Sequence, residues 1–586
     1  MELPAWQLLL LAAALGAIWA ASLFDWSFIA GRHEFWRFPR GTIGGSETDM
    51  AQALAGYLYY VGSSWHLPLF YVASLGMPVG TNIIFLGSVP IVALIGKLTC
   101  TLIGATINLY GAYLFLCFAL PGVMMTLVLI TAKVRYALAT IVAAIFANST
   151  PALLWRWGHM ELEAHFLLIG ALALYLVSLN KRSWSGFAAA WIAYLILTYL
   201  TNIYLFGMVG TVWLCAVLQR RLNGLHTTRE AVGAGVLTVA LVMTVIILSG
   251  QFSGGTGPPF STGYGLFSMN LLSPFVPPQE SGLLPWVGRV IDPNGYPYQY
   301  EGFNYLGMGL LLASLLVLPT EAGWLRRNLW RHSSLLVAFA ALTVFAISHR
   351  VLAGHWLLFE LPMPRYVFWT LGIFRSSGRF FWLIGYAQMA MVIILGFRRA
   401  RPVLALCLAG AAILQLCDVQ PLREGIIASI AAGPGAEELD SDEVARLTAR
   451  ARHVEVVPSF QCNLNRDQQH EKIERANMEL ILATAKMNVP INTVYWGRQT
   501  YGLTLSDFMR APSRAVEMLR ARRNDYCNQE VEQARSGGHP GDVFLLLSDR
   551  PRTEEMAPGV ICSPLSWARY CENAKPLGLG FSRAPG

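Results

Sequence analysis

Residues 108–132 read NLYGAYLFLCFALPGVMMTLVLITA, twenty-five positions without a charge. A bilayer core is crossed by about 20 apolar residues in a helix. Lys133 and Arg135 close this run, and a second apolar run opens at 137. The same alternation extends in both directions. It predicts eleven spans at about 5–24, 108–132, 137–155, 162–179, 184–200, 202–219, 231–250, 303–320, 333–349, 380–397 and 402–419. Segments 82–105 and 351–376 are also apolar. Pro90 and Lys97 interrupt the first, and Arg350, His355, Arg365 and Arg375 punctuate the second, so both are expected to lie in or dip into the outer interface.

Composition agrees. Hydrophobic residues make up 55% of the 586 and charged residues 13%, with mean hydropathy +0.46. A soluble domain carries roughly a quarter charged residues, so disorder and a soluble multidomain enzyme are excluded. The net charge of +8 is no nucleic-acid signal. Residues 420–586 sum to −1, and the surplus sits between the apolar segments. Five short loops (133–136, 180–183, 220–230, 321–332 and 398–401) hold 13 Lys and Arg in 35 positions. Such loops face the cytoplasm. With eleven spans the N-terminus is expected inside and the tail outside.

The chain thus divides into a membrane domain, 1–419, and an extracytoplasmic α/β domain, 420–586. The membrane domain carries a first outer loop at 25–107 with surface helices and a second large outer loop at 251–302. In the tail, HVEVVP (453–458) and VFLLL (543–547) read as buried strands, and 467–487 and 513–535 as helices. Cys462, Cys527, Cys562 and Cys571 all fall there. An even number of cysteines in an exported domain points to two disulfides, with the pairing open. The tail has no phosphate-cradling Gly motif and reads as a scaffold or acceptor-docking domain.

The spans hold almost no ionisable residue at mid-depth, which counts against an ion-coupled transporter. Polar residues collect instead on the outer face. Asp49 leads into an amphipathic stretch with Leu54, Tyr57, Leu58 and Val61 at helical spacing. That places it at the N-cap of a helix along the membrane surface, either as a plain cap or as a catalytic carboxylate. His66 follows in an aromatic W-H-L-P turn, an interfacial anchor or a substrate contact. In Arg156–His165 (RWGHMELEAH), His159 with Glu163 and Glu161 with His165 are four apart. On a helix each pair shares a face, fit for contacts to a polar substrate or for a divalent ion. In FRSSGRFFW (374–382), Arg375 and Arg379 flank Ser-Ser-Gly at a span start, where Arg forks suit phosphate oxygens or snorkel. Loop 251–302, with Asn270, Tyr300 and Glu301, suits sugar hydroxyls or an ordinary Pro-rich lid.

One span, an outer-loop acid ahead of a surface helix, many further spans and an outer domain together resemble the GT-C superfamily of membrane glycosyltransferases. TDMAQ (48–52) with WHLP (65–68), RWGH (156–159) with AHF (164–166), YEGFNYLG (300–307), FRSSGRFFW and NTVYWGR (492–498) look like a largely uncharacterised bacterial multi-pass family within it. The resemblance implies an inverting glycosyltransferase of the bacterial inner membrane. Such an enzyme moves a sugar from a polyprenyl-phosphate donor to an envelope glycan or lipid acceptor on the outer face. It implies Asp49 as general base or acceptor-orienting group, with Glu47 a second carboxylate. Arg375, Arg379 and Arg156 would hold the donor phosphate, and His66, His159, Glu161, Glu163, His165, Asn270, Tyr300 and Glu301 would line the substrate. Met-Ala after Asp49, in place of a second acid or Pro, points away from a metal-dependent, oligosaccharyltransferase-like site, so no cofactor is expected. Two other classes share the pattern: an envelope polymerase or ligase using a lipid-pyrophosphate oligosaccharide, and a non-enzymatic lipid-carrier flippase or assembly protein. The export of the tail is checked by fusions after Gly586: a periplasm-active reporter is expected to be active and a cytoplasm-active one silent.

Overall fold

A computed structural model describes residues 2–41, 48–180, 183–252, 264–295, 298–399, 401–435, 438–463, 468–495, 514–548 and 551–573. Glu47 and the end of NTVYWGR lie outside the described residues. Among those described, eight helices are long and apolar enough to cross a membrane: Tyr110–Thr131, Ala137–Leu154, Met160–Ser178, Ile203–Leu222, Thr228–Ser249, Ala322–Ile347, Ser377–Phe397 and Pro402–Ala431. Each matches one of the eleven expected spans, and the chain is a multi-pass membrane protein. The other three are shorter. Ala5–Ala21 reaches span length only with Trp26–Arg37, bent by 101°, while Trp184–Tyr199 and Met308–Thr320 are apolar helices below it. The last long helix does not stop at 419 but runs through Pro421 to Ala431.

Close approach holds the helices together, as small residues permit in membranes. A Cβ on Gly122 would sit 2.9 Å from the Ala144 Cα of the neighbouring helix. Beside the Pro121 ring, the Gly122 amide donates to Asn148 Oδ1 at 2.7 Å, which joins the two helices by a buried polar contact.

Segment 82–105 forms the Pro90–Ile103 helix, whose Leu98, Leu102 and Ile103 remain exposed. Segment 351–376 is less helical than its apolar run predicts. Arg350–Ala353 pairs antiparallel with Trp356–Glu360, and only Arg365–Leu371 is α-helical, followed by a 3₁₀ turn at Gly372–Phe374. Gly354, at φ +59, makes the turn that a continuous helix has no place for.

The first-loop helix, Asp49–Gly62, departs most from expectation. Eleven of its 14 residues are buried, so it is no half-exposed surface helix. Ser88 and Tyr110 both donate to the Ala53 carbonyl, at 2.8 and 3.1 Å. On its other side lies the tail helix Gln468–Met487. The Tyr59 hydroxyl donates to the Val489 carbonyl at 2.6 Å and meets Thr484 Oγ1 at 2.8 Å. Ile491 exchanges backbone hydrogen bonds with Ser74, Gly76 and Met77 at 2.9–3.0 Å. The tail covers the face that the loop sequence, taken alone, would leave to lipid headgroups.

The tail sheet has four strands in the order His453–Val457, Asp542–Leu546, Ala568–Asn573, Val560–Leu565. The first pair is parallel and the others are antiparallel. Both expected strands and both expected helices, now Gln468–Met487 and Ala515–Ser536, are present. Two disulfides form as the cysteine count implies. Cys462–Cys527 ties the turn after the first strand to the long helix, and Cys562–Cys571 links facing positions of the hairpin.

Glu455, Glu530 and Asp542 are all buried between sheet and helix. Burial first, then the charges of Glu530 and Asp542, push the Glu455 carboxyl up to about 8, and burial pushes Glu530 up to about 7. An acid raised on folding stabilises the fold below its unfolded value, 4.5, and that stability is lost as pH rises through about 8. Glu455→Gln keeps the shape and cannot ionise. Thermal unfolding of the full chain is expected to show the variant matching wild type near pH 5 and exceeding it near pH 8. An equal difference at both pH values refutes the ionisation argument.

Candidate active site

Four chain segments meet where the membrane helices end beneath the tail. The first is the start of the first-loop helix. Asp49 is its first residue rather than its cap, with Thr48 before it. Its carboxylate turns away from the helix end and meets His159 Nε2 at 3.1 Å. The Asp49 side chain keeps 23% of its surface exposed, while His159 is nearly buried.

The second segment, residues 155–165, is not the regular helix that its i, i+4 pairs assume. Turns lead into a short 3₁₀ helix at Met160–Leu162, and the α-helix begins only at Phe166. Gly158 has φ +123, and its backbone lies against Gly41, where a Cβ on Gly158 would sit 3.0 Å from the Gly41 Cα. Few L side chains tolerate either condition. The break sends the two histidines different ways. His159 faces Asp49, whereas His165 turns inward, its Nδ1 2.8 Å from the Tyr386 hydroxyl and its ring 4.5 Å from Trp382. Glu163 is fully buried, and neither of its carboxylate oxygens has a hydrogen-bond partner among the described residues. Glu161 borders Gly87 and adds its charge to the His159 surroundings. The expected sharing of a face by His159 and Glu163, or by Glu161 and His165, is therefore corrected. Among the described residues no group of three or more His, Cys, Asp or Glu is placed to hold a metal ion.

The third segment is the 3₁₀ turn Gln299–Gly302, which presents Glu301. Arg156 Nη1 donates to Glu301 Oε2 at 2.7 Å and Arg379 Nε to the same oxygen at 3.1 Å, while His159 Nε2 lies 3.7 Å from Oε1. Arg156 Nη2 and the Trp155 indole also donate to the Tyr300 carbonyl, at 2.8 and 3.1 Å. The fourth segment, Ser377–Phe381, supplies Arg379, which lies over the Tyr204 ring at 4.8 Å.

The electrostatics follow from this packing. Burial opposes the Glu301 charge, but the Arg379 and Arg156 guanidiniums, with His159, outweigh it and hold the carboxyl well below its usual range. Burial likewise opposes the His159 cation. The hydrogen bond and charge of Asp49, then the charges of Glu301 and Glu161, overcome burial and raise its pKa.

Arg375, unlike Arg379, makes no ion pair among the described residues and rests over the Phe267 ring at 5.4 Å. The structure thus separates two arginines that share a motif. Tyr300 is partly exposed beside them. Asn270 is buried and fully engaged. It donates to Gln299 and Gly354 and accepts from Leu272 and Gly354, which pins the loop to the hairpin. His66 is at the far end of the first-loop helix from Asp49, with Tyr71 edge-on at 6.1 Å. It joins no part of this cluster.

Tyr495, from the tail, had no place in the sequence reading of the site. Its ring packs on Phe460 at 4.6 Å. Burial and then the Asp49 charge push its phenol up to about 12, and Arg375 pulls the other way. The tail therefore closes over the cluster. No local sequence signal marks this, since it depends on the docking at Ile491.

The chain belongs to the family described as a domain of unknown function, DUF6311, whose sequence profile matches residues 13–420. No curated protein matches the chain. Among solved structures it is similar to the oligosaccharyltransferase of Archaeoglobus fulgidus. In complex with Zn and sulfate, that protein has 14% identity over 91% of this chain and 67% of its own, with a TM-score of 0.41. The apo form gives 12%, 92%, 69% and 0.42. AglB of the same organism, in complex with an inhibitory peptide and a dolichol-phosphate, gives 13%, 92%, 69% and 0.40.

Removing one member of a buried ion pair costs about 3–5 kcal/mol, because its partner stays charged in a poorly solvated place. Glu301→Gln leaves both Arg156 and Arg379 in that state. The variant is expected to unfold at markedly lower temperature in detergent, and adding Arg379→Met is expected to recover part of the loss. A Glu301→Gln protein as stable as wild type shows that the triad does not hold the three turns together.

Proposed function

We propose that the protein is an inverting glycosyltransferase of GT-C type. It takes a sugar from a polyprenyl-phosphate donor and passes it to a glycan or lipid acceptor of the cell envelope, on the outer face of the membrane. One observation carries the reading. A partly exposed carboxylate, Asp49, is held by a buried His159, and an arginine that no protein carboxylate neutralises among the described residues, Arg375, acts with Asp49 on the same two phenols, Tyr300 and Tyr495. An acceptor hydroxyl must lose its proton as it attacks the anomeric carbon, and a positioned base contributes about 10²–10⁴-fold to such a step. Asp49 takes that proton. His159 donates to the other side of the pair and fixes the carboxylate's orientation.

The leaving group is a phosphate whose charge grows as the glycosidic bond breaks. Fixed cations aimed at that charge stabilise the transition state. Arg375 is the direct contact. Arg156 and Arg379 are committed to Glu301, yet their triad carries one net positive charge and adds to the field. Tyr300 and Glu161 border the space between base and phosphate, and Tyr495 covers it from the tail. His66 anchors its loop at the interface, where the exposed Trp65 and Leu67 flank it. The excess of Lys and Arg in five short loops supports an orientation with the N-terminus in the cytoplasm and the tail in the periplasm of a bacterial inner membrane. No step needs a metal ion.

Asp49→Asn removes the base with little change of volume. It is expected to keep normal protein level and to lose envelope glycan transfer, measured by mass spectrometry of the glycans of a deletion strain carrying the variant. Arg375→Lys keeps the charge but not the fork, so a partial loss is expected, and Arg375→Ala should be close to inactive. Full glycan transfer by a well-folded Asp49→Asn protein would favour the flippase class. A lipid-pyrophosphate oligosaccharide accumulating in the deletion strain would favour the polymerase or ligase class.

A further inference from the structure

At the opposite end of the membrane helices, Glu321 is buried and is approached by three guanidiniums. Arg398 Nη2 donates to its Oε2 at 2.9 Å, and Arg401 and Arg399 reach its Oε1 at 3.4 and 3.8 Å. One carboxylate cannot neutralise three guanidiniums, so the cluster keeps a surplus of two positive charges. Arg398 is the committed partner: it makes the short contact and lies over the Trp324 ring at 4.5 Å. Arg399 and Arg401 are 54% and 40% exposed and converge on a single oxygen. Two cations held so close repel one another unless a second anion joins them.

Arg401 also stands at the mouth of a groove of about 470 Å³. Leu316 and Thr320 of the Met308–Thr320 helix form one wall, and Val403, Leu404 and Cys407 of the last long helix form the other. The surface around it is apolar and open: Val403, Leu406 and Leu315 are each about 70% exposed. Such a surface at the end of spanning helices meets acyl chains. A groove with an apolar floor, lined by Arg401 and with Arg399 meeting Arg401 at the same Glu321 oxygen, matches the shape and charge of one molecule type, a diacyl lipid with an anionic phosphate headgroup.

We propose that this groove is a binding site for an anionic phospholipid. Its phosphate lies between Arg399 and Arg401, and an acyl chain runs along Leu316, Val403 and Leu404. The basic loop 398–401 belongs to the set that the positive-inside count places in the cytoplasm, so the lipid belongs to the inner leaflet, where anionic headgroups attract such loops. The site lies at the other end of the helices from Asp49 and does not depend on the glycosyl-transfer reading.

The test uses the full chain in detergent, titrated with phosphatidylglycerol or phosphatidylcholine and read by native mass spectrometry. Wild type is expected to retain one phosphatidylglycerol under activation that strips phosphatidylcholine. The Arg399→Ala, Arg401→Ala protein is expected to hold it about tenfold more weakly, as the loss of charge-assisted phosphate contacts implies. Arg399→Lys, Arg401→Lys should retain most of the preference. Arg399→Ala alone, at an exposed position, guards against a folding defect and should give an intermediate loss. Val403→Trp fills the groove and should weaken binding with every arginine in place. Equal retention of the two lipids by wild type, or undiminished phosphatidylglycerol binding by the double alanine protein, overturns the proposal. So does full competition by free glycerol phosphate, which would mean that the headgroup binds without the groove.

Discussion

Two guanidiniums packed where water does not reach need a counter-charge, and Glu301 supplies it. Arg156 and Arg379 come from turns more than two hundred residues apart in sequence, and Glu301 from a third turn between them. A neutral side chain at 301 would leave both cations unpaired in a low-dielectric place, a penalty large against the total stability of most folds. The three turns are therefore held in one arrangement by charge rather than by regular secondary structure. The catalytic proposal depends on this. With Arg156 and Arg379 occupied by Glu301, His159 keeps its shorter contact for Asp49, and Arg375 makes no ion pair among the described residues.

The position of this cluster follows from the composition of the helices. Spanning segments with almost no ionisable groups leave polar chemistry only at their ends. At this end the first-loop helix and the tail form a cover. Backbone bonds at Ile491 and the Tyr59 hydroxyl fix the tail to the helix that begins at Asp49. The tail is thus more than an appended scaffold. It buries the helix that orients the carboxylate, and it brings Tyr495 over the site.

Sequence patterns revealed what local physics controls. Uninterrupted apolar length located all eight long helices, short apolar runs located the first two tail strands, and an even cysteine count in one domain anticipated two disulfides. Features that depend on distant partners stayed hidden. Asp49 is not the helix cap that its position implied, because Thr48 holds that place, and its carboxylate meets the distant His159 instead. The i, i+4 pairing across 159–165 failed because Gly158 requires a left-handed backbone against Gly41, which breaks the helix before it starts. Arg375 and Arg379 looked equivalent by spacing. Only the location of Glu301 tells them apart. Asn270 looked suited to a sugar and is spent on loop backbone instead. The hairpin at 350–360 was concealed by apolar composition, which helices and strands share.

Asp49 and His159 are best regarded as one unit. The histidine is buried, and burial opposes its charge; the carboxylates around it, Asp49 first among them, outweigh burial and raise its pKa. The dependence runs both ways, since His159 Nε2, 3.1 Å from the Asp49 carboxylate, is the contact that holds it. A neutral Asn at 49 would remove that carboxylate and, with it, the first of the interactions that raise the His159 pKa. A single substitution would then alter the electrostatics of both residues. Groups coupled in this way do not contribute additively. The site's charge pattern, Asp49 on one side and Arg375, which makes no ion pair among the described residues, on the other, is therefore a property of the whole packed cluster, and Glu301 is the residue on which that packing rests.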